Sequence, residues 1–300
     1  MEIILGLTAA FGWGVADFSA RFATRRIGAY RTLMLMQLFG FVGLTLYLEQ
    51  TGTFSHGFSW GWRAWTFAIV AGLLNIVSSL SLYRAFEVGM MSIAAPVSSA
   101  YPALTVGLAL LSGEQIHAPR AVGLAVTFVG MILAALSFVG DPDRSSSDPQ
   151  TAAHIENTSS AHLSKGAGLA IIAAVGFGVM FWWLGFHVIP LVGSGVSVWV
   201  IRLTSFLVLA LIGIPTGKTF RLPRGPVWLL LAVIGLTDTS AFMANNAGLG
   251  MGHVAVVSVI ASLYGAVTVL LSWIFLRERI ERSQWLGIFL IFAGIVLVSL

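Results

Sequence analysis

The chain has 300 residues, of which 57% are hydrophobic and 9% charged, against about 25% charged in an average soluble domain. A mean hydropathy of +0.92 and 33 glycines point to a bilayer as solvent, where glycine is commoner in helices than in water. Cysteine is absent, which excludes disulfides, thiol catalysis and Cys-ligated zinc, and the net charge of +4 has to be located before it speaks for or against nucleic acid.

Ten apolar segments approach the roughly 20 residues that a bilayer core requires. In chain order they lie at 3–20, 31–48, 64–86, 91–112 and 120–139, then at 166–188, 195–215, 226–248, 253–276 and 283–300. The first lacks a basic region ahead of it and is read as a span rather than a cleaved leader. Pro96 and Pro102 should bend the fourth. Between the fifth and sixth lies "DPDRSSSDPQTAAHIENTSSAHLSK", Asp141 to Lys165, whose composition predicts a flexible linker with no core of its own. The reading is an all-α membrane protein of ten transmembrane helices: five in 1–139, a polar linker over 140–165, and five in 166–300.

Charge tests the count. One side of the membrane receives Arg21, Arg25, Arg26, Arg31, Arg84, Arg144, Lys165, Lys218, Arg221, Arg224, Arg277, Arg279 and Arg282, and the other only Arg63 and Arg120. A bias of this size marks the first side as cytoplasmic. It predicts a multi-pass protein of the cell inner (plasma) membrane with both termini non-cytoplasmic and the linker inside. The basic charge therefore belongs to cytoplasmic loops, and nucleic acid is not an expected partner.

The two fives match in sequence. "YPALTV" at Tyr101–Val106 returns as "YGAVTV" at Tyr264–Val269, and at the same shift of 163 Trp65 meets Trp228, Gly72 meets Gly235 and Asn75 meets Asp238. At a shift of 164 Glu114 meets Glu278, Gly123 meets Gly287, Gly130 meets Gly294, and "GWGV" at 12–15 meets "GFGV" at 176–179. An odd number of spans per half turns the second copy upside down, the inverted repeat common in secondary transporters.

These residues resemble the EamA-type family of the drug/metabolite transporter superfamily. The similarity rests on Trp13-Gly14 followed by Arg21, on "SSAYPALTVGLALLSGEQI" and "GLAVTFVGMIL" in the first half, and on "LYGAVTVLLSWIFLRERI" and "GIFLIFAGIVL" in the second. Pro102 and Glu114 fall on the family's Pro and Glu positions. Three positions depart from it: Gly265 stands for the second Pro, Gln37 stands where the family often has Arg, and Asp17 is unexpected in the first span. The resemblance implies export of metabolites, amino acids or drug-like compounds across a bacterial inner membrane.

Polar residues inside the spans are the candidate site. Asp238, Phe242 and Asn245 share one helical face with Asn246 beside it, and Asn75 and Ser79 share the corresponding face of the third span. Such stripes face either a cavity or another helix, where hydrogen bonds act as glue. Arg202 has three readings: a substrate carboxylate, the interface, or a pair with Asp238. Asp17 either pairs with Arg21 at i+4 or reaches substrate or a proton. Trp13, Tyr83, Tyr101 and Tyr264 are candidate cavity aromatics, while His187, Glu114 and Glu278 are assigned to span ends. The substrate-binding set is thus Asp238, Asn245, Asn246, Phe242, Asn75, Ser79, Trp13, Tyr83, Tyr101, Tyr264 and Arg202, with Asp17 and Asp238 as candidate proton carriers.

No catalytic motif, nucleotide-binding loop or metal-ligand spacing occurs, so neither enzyme activity nor a cofactor is expected. The expected partners are a small-molecule solute, the lipid bilayer and, as candidate coupling ion, the proton. The expected function is export of small amino-acid-like or drug-like solutes by alternating access. The alternatives are a proton-coupled multidrug antiporter and a non-transporting membrane scaffold or sensor. No feature sets an oligomeric state.

Overall fold

The computed structural model describes residues 1–53, 60–89, 91–136, 149–216, 223, 225–276, 285–287, 289–290, 293–294 and 297. Among these the regular structure is helix without a strand. Hydrocarbon offers no partner for a free N–H or C=O, and a helix satisfies its own.

The first half comprises α1 (Glu2–Ile27), α2 (Ala29–Gln50), α3 (Trp62–Val88), α4 (Met91–Ser98), α5 (Pro102–Leu111) and α6 (Ala118–Leu136). The second comprises α7 (Pro149–Trp183), a π-helical turn (Leu184–Val188), α8 (Ile189–Val192), α9 (Ser194–Thr216), α10 (Val227–Leu249), α11 (Val254–Ala261) and α12 (Tyr264–Leu276). Eight stretches of the described residues are long and apolar enough to cross a bilayer. Of the other two expected spans, the fifth corresponds to α6, of which Ala121–Gly130 is the described apolar stretch. The tenth, with the glutamate at 278 before it, lies largely or wholly outside the described residues.

Three expectations change. The predicted spans at 91–112 and 253–276 are each two helices, broken just ahead of Tyr101-Pro102 and of Tyr264-Gly265. Pro102 has no N–H to return to the preceding turn, so the break precedes it. At Gly265 a Cβ would lie 2.6 Å from Ser99 Oγ at the break between α4 and α5, so a proline there would meet the other broken span. Second, the predicted linker is helical from Pro149 onward. Proline suits the first helical position, and the following residues supply Ala, Gln, Leu and Lys, which lose little in a helix. Third, the sixth span continues past 188 to Val192 through the π turn. The ring of Pro190 would press on the carbonyl of Phe186, and the wider turn accommodates it.

The halves interdigitate. α1 packs on α10, α11 and α12, and α7 packs on α3, α4 and α5. α2 lies on α9 and α10, α9 also on α3, while α5 meets α11 and α4 meets α12. Membrane helices gain little from apolar burial against each other and rely on close van der Waals contact. The glycine pair at 14 and 178 provides it: a Cβ at Gly14 would lie 2.5 Å from Val267 Cγ1, and one at Gly178 would lie 2.9 Å from Leu104 Cβ. Thr268 Oγ1 donates to the Gly14 carbonyl at 3.4 Å, and Thr105 Oγ1 to that of Gly178 at 3.0 Å.

Candidate functional site: a central hollow lined by aromatic rings and two aspartates

Asp238 lies mid-way along α10, and its charge is met at once. Arg202, from α9 and only 1% exposed, donates Nη2 to Asp238 Oδ2 at 2.5 Å and Nη1 to Gln37 Oε1 at 2.6 Å. The guanidinium also covers the ring of Phe242, 4.8 Å from its centroid. One arginine thus ties α2, α9 and α10 together near mid-membrane. Of the three readings of Arg202, pairing with Asp238 is the one observed.

Asp17 is placed differently. It is 5% exposed, close enough to interact electrostatically with Asp238, and joined by no ion pair to Arg21 or to any other described residue. Its side chain lines a hollow instead. Trp13 forms one wall, with Phe242 edge-on at 5.2 Å and Phe181 at 5.5 Å between centroids. Tyr101 and Tyr264, the residues after the two helix breaks, stack at 6.5 Å and 17°. The space open to the centre of a water-sized sphere is about 40 Å³, room for a few waters and too little for an organic solute.

The sequence profile described as the EamA-like transporter family matches residues 1–136 and 164–300. The chain belongs to that family. An uncharacterized protein of Methanocaldococcus jannaschii is 31% identical over 136 residues, 45% of this chain and 96% of that protein. A solved crystal structure is similar over 99% of this chain and 96% of its own, with a TM-score of 0.74 and 18% identity. That identity supports a shared fold alone.

Other candidate residues of this EamA-like transporter divide between hollow and scaffold. Ser79, Tyr83, Tyr101, Tyr264, Trp13, Phe242, Asp17 and Asp238 all line the hollow. Asn75, Asn245 and Asn246 do not; each is fully buried. Asn75 Nδ2 donates to Ser205 Oγ at 3.1 Å and joins α3 to α9, while Asn246 Nδ2 donates to Ser197 Oγ at 2.9 Å and joins α10 to α9. The tyrosine hydroxyls also serve the packing. Tyr101 donates to the Ser258 carbonyl at 2.9 Å, Tyr264 shares a hydrogen with Ser98 Oγ at 2.8 Å, and Tyr83 donates to Met36 Sδ at 2.9 Å. His187 stacks on Trp183 at 4.3 Å within the π turn of the sixth span, outside the hollow.

Four lining residues stand outside the candidate set: Phe177, Phe181, Met36 and Leu82. A signal existed for the phenylalanines. At the shift of 164 they are the repeat mates of Trp13 and Asp17.

Glu114, assigned to a span end, has a defined task there. Both carboxylate oxygens accept from the Ala255 N–H, at 3.1 and 3.2 Å, so the loop after α5 caps the start of α11. Burial pushes its carboxyl above the ordinary glutamate value of 4.5, against the opposing pull of the Ala255 N–H and of His253, which in turn pairs with Glu2. A raised folded value means that the folded state binds the proton more tightly than the unfolded one. Stability from this group is therefore complete below about 4.5 and is lost as pH rises through the folded value. The unfolding temperature of the purified protein should climb as pH falls from 7 towards 4.5. Glu114→Gln should flatten that climb in a thermal-shift series across the same range.

Proposed function

We propose that this protein is a ten-helix inverted-repeat transporter, with repeats at 1–139 and 166–300 joined by a cytoplasmic segment over 140–165 and both termini outside the inner membrane. It exports a small solute carrying a cationic amine on an apolar or aromatic body, by alternating access around the central hollow. The inverted arrangement is supported by reciprocal packing, since α1 on α10, α11 and α12 is answered by α7 on α3, α4 and α5. It is supported again by paired contacts, Thr268 on Gly14 and Thr105 on Gly178. Discontinuous helices such as α4–α5 and α11–α12 are a recurrent feature of transporter binding sites.

The solute class rests on one observation: a buried aspartate, Asp17, with no counter-ion among the described residues, beside Asp238, whose charge Arg202 already meets. A carboxylate withdrawn from water needs a proton or a cation next to it. The rings of Trp13, Phe181, Phe242 and the tyrosines suit a cation by their negative faces. A solute carboxylate would have to compete with Asp238 for Arg202, which makes zwitterions a poorer fit. The compact hollow is what an unloaded, closed state would give; loading requires the helices to part.

Proton antiport is the second reading, favoured by the placing of Asp17 within electrostatic reach of Asp238. A single carboxylate that takes either a proton or a cation would couple the two. Uptake of radiolabelled aromatic amines, amino acids and neutral alcohols into proteoliposomes, with and without a pH gradient, tests both. Amine uptake exceeding that of the matched alcohol is expected, and its acceleration by the gradient would identify antiport. Amino-acid uptake exceeding amine uptake would overturn the proposed solute class.

A further inference from the structure

A second and larger hollow lies at the basic ends of the helices, between α2, α3 and α9. It offers about 560 Å³ to the centre of a water-sized sphere, many times the central space. Arg31 and Arg84 stand at its mouth, and Ile27, Leu80 and Ile212 form apolar walls. Its depth follows from the helix ends: α2 begins at Ala29, α3 ends at Val88, and α9 ends at Thr216. All three lie at the side that receives the arginine-rich loops, hence at the headgroup level of the cytoplasmic leaflet. Leu80 is two helical turns below Glu87, roughly 10 Å deeper, so the wall runs down into the hydrocarbon layer.

The one acid among the described residues at the mouth does not oppose an anion freely. Glu87 accepts from Arg84 Nη1 at 2.8 Å and from the Ala29 N–H at 3.0 Å. Arg84 keeps further guanidinium donors and a side chain 53% exposed. Arg25 adds a third cation at this end, its Nη2 reaching the Gly89 carbonyl at 3.5 Å. The local balance is therefore positive, above an apolar slot.

We propose that this hollow is a binding site for an anionic phospholipid, with the phosphate held by Arg31 and Arg84 and an acyl chain lying along Leu80 and Ile212. Basic pockets between helices on the cytoplasmic side recognise phosphate headgroups in this way. The apolar wall selects a lipid over a free phosphate, because an inorganic ion has nothing to place against it.

Native mass spectrometry of the detergent-solubilised full chain tests the site, with phosphatidylglycerol and phosphatidylcholine of the same acyl chains as probes. Phosphatidylglycerol should be retained about twenty-five-fold better, falling about fivefold per arginine removed, so that Arg31→Gln/Arg84→Gln holds the two lipids equally. Arg63→Gln, on the opposite side of the membrane, should keep the wild-type preference. If the double variant does not purify as a monodisperse species, the single Arg84→Gln carries the test through its fivefold loss. Equal retention of both lipids by the wild type, or an unchanged preference in the arginine variants, overturns the proposal. Displacement of phosphatidylglycerol by millimolar inorganic phosphate also overturns it, because the site would then serve a free anion.

Discussion

Replacing Asp17 by Asn should cut the initial rate of amine-cation counterflow at least about thirtyfold while leaving the unfolding temperature nearly unchanged. The two halves of this expectation have separate causes. Truncating one partner of a desolvated charge pair costs about 2–5 kcal/mol in binding, which is thirtyfold or more. Stability is spared because no described residue pairs with Asp17 in the empty protein; asparagine keeps the shape and removes only the charge. Asp17→Glu should keep part of the rate, since the carboxylate survives in a shifted position. Rate measurements in proteoliposomes, set beside thermal unfolding of the same preparations, decide it. A variant that unfolds early and transports normally would assign Asp17 to packing instead.

The second large effect concerns stability. Arg202→Ala should destabilise the protein by about 3–5 kcal/mol, the usual cost of leaving one member of a buried ion pair behind. Asp238 would lose its 2.5 Å partner, and Gln37 its donor. Arg202→Lys should recover little. One ammonium cannot reach Asp238 and Gln37 from two nitrogens while lying flat over Phe242. The double substitution Arg202→Met/Asp238→Leu should recover most of the loss, because well-packed apolar residues commonly replace a buried pair without penalty. Fluorescence-monitored unfolding of the four proteins in one detergent gives the comparison. Additive losses in the double variant would mean that the two residues do not act on each other.

Much of the fold was readable because a bilayer enforces it. Apolar length, the arginine bias and the two matching halves located the described spans, and Tyr101-Pro102 marked a break that the chain then makes. The break before Gly265 was not readable as such, since no proline marks it and the close neighbour of Gly265, Ser99, lies on a distant segment. The polar stripes were read correctly as turned away from lipid, but periodicity cannot separate a cavity from a helix interface. Both are equally free of lipid. Asp238 and Phe242 went to the hollow, whereas Asn245 and Asn246, one turn beyond Phe242, are buried away from it, with Asn246 bonded to Ser197 of α9. Asp17 and Arg21 had the spacing of an ion pair, yet Asp17 lines the hollow and the two form no ion pair. Phe177 passed unnoticed because a phenylalanine in a span is ordinary until its neighbours are known.

The central claim is that Asp17 gives the hollow its preference for a cation. Isothermal titration of the solubilised protein with 2-phenylethylammonium and with its neutral match 2-phenylethanol tests this directly, for wild type and Asp17→Asn. The ammonium should bind the wild type at least about thirtyfold more tightly than the alcohol, and the variant should bind the two alike. Equal affinities in the wild type, or the same preference surviving in Asp17→Asn, would contradict it.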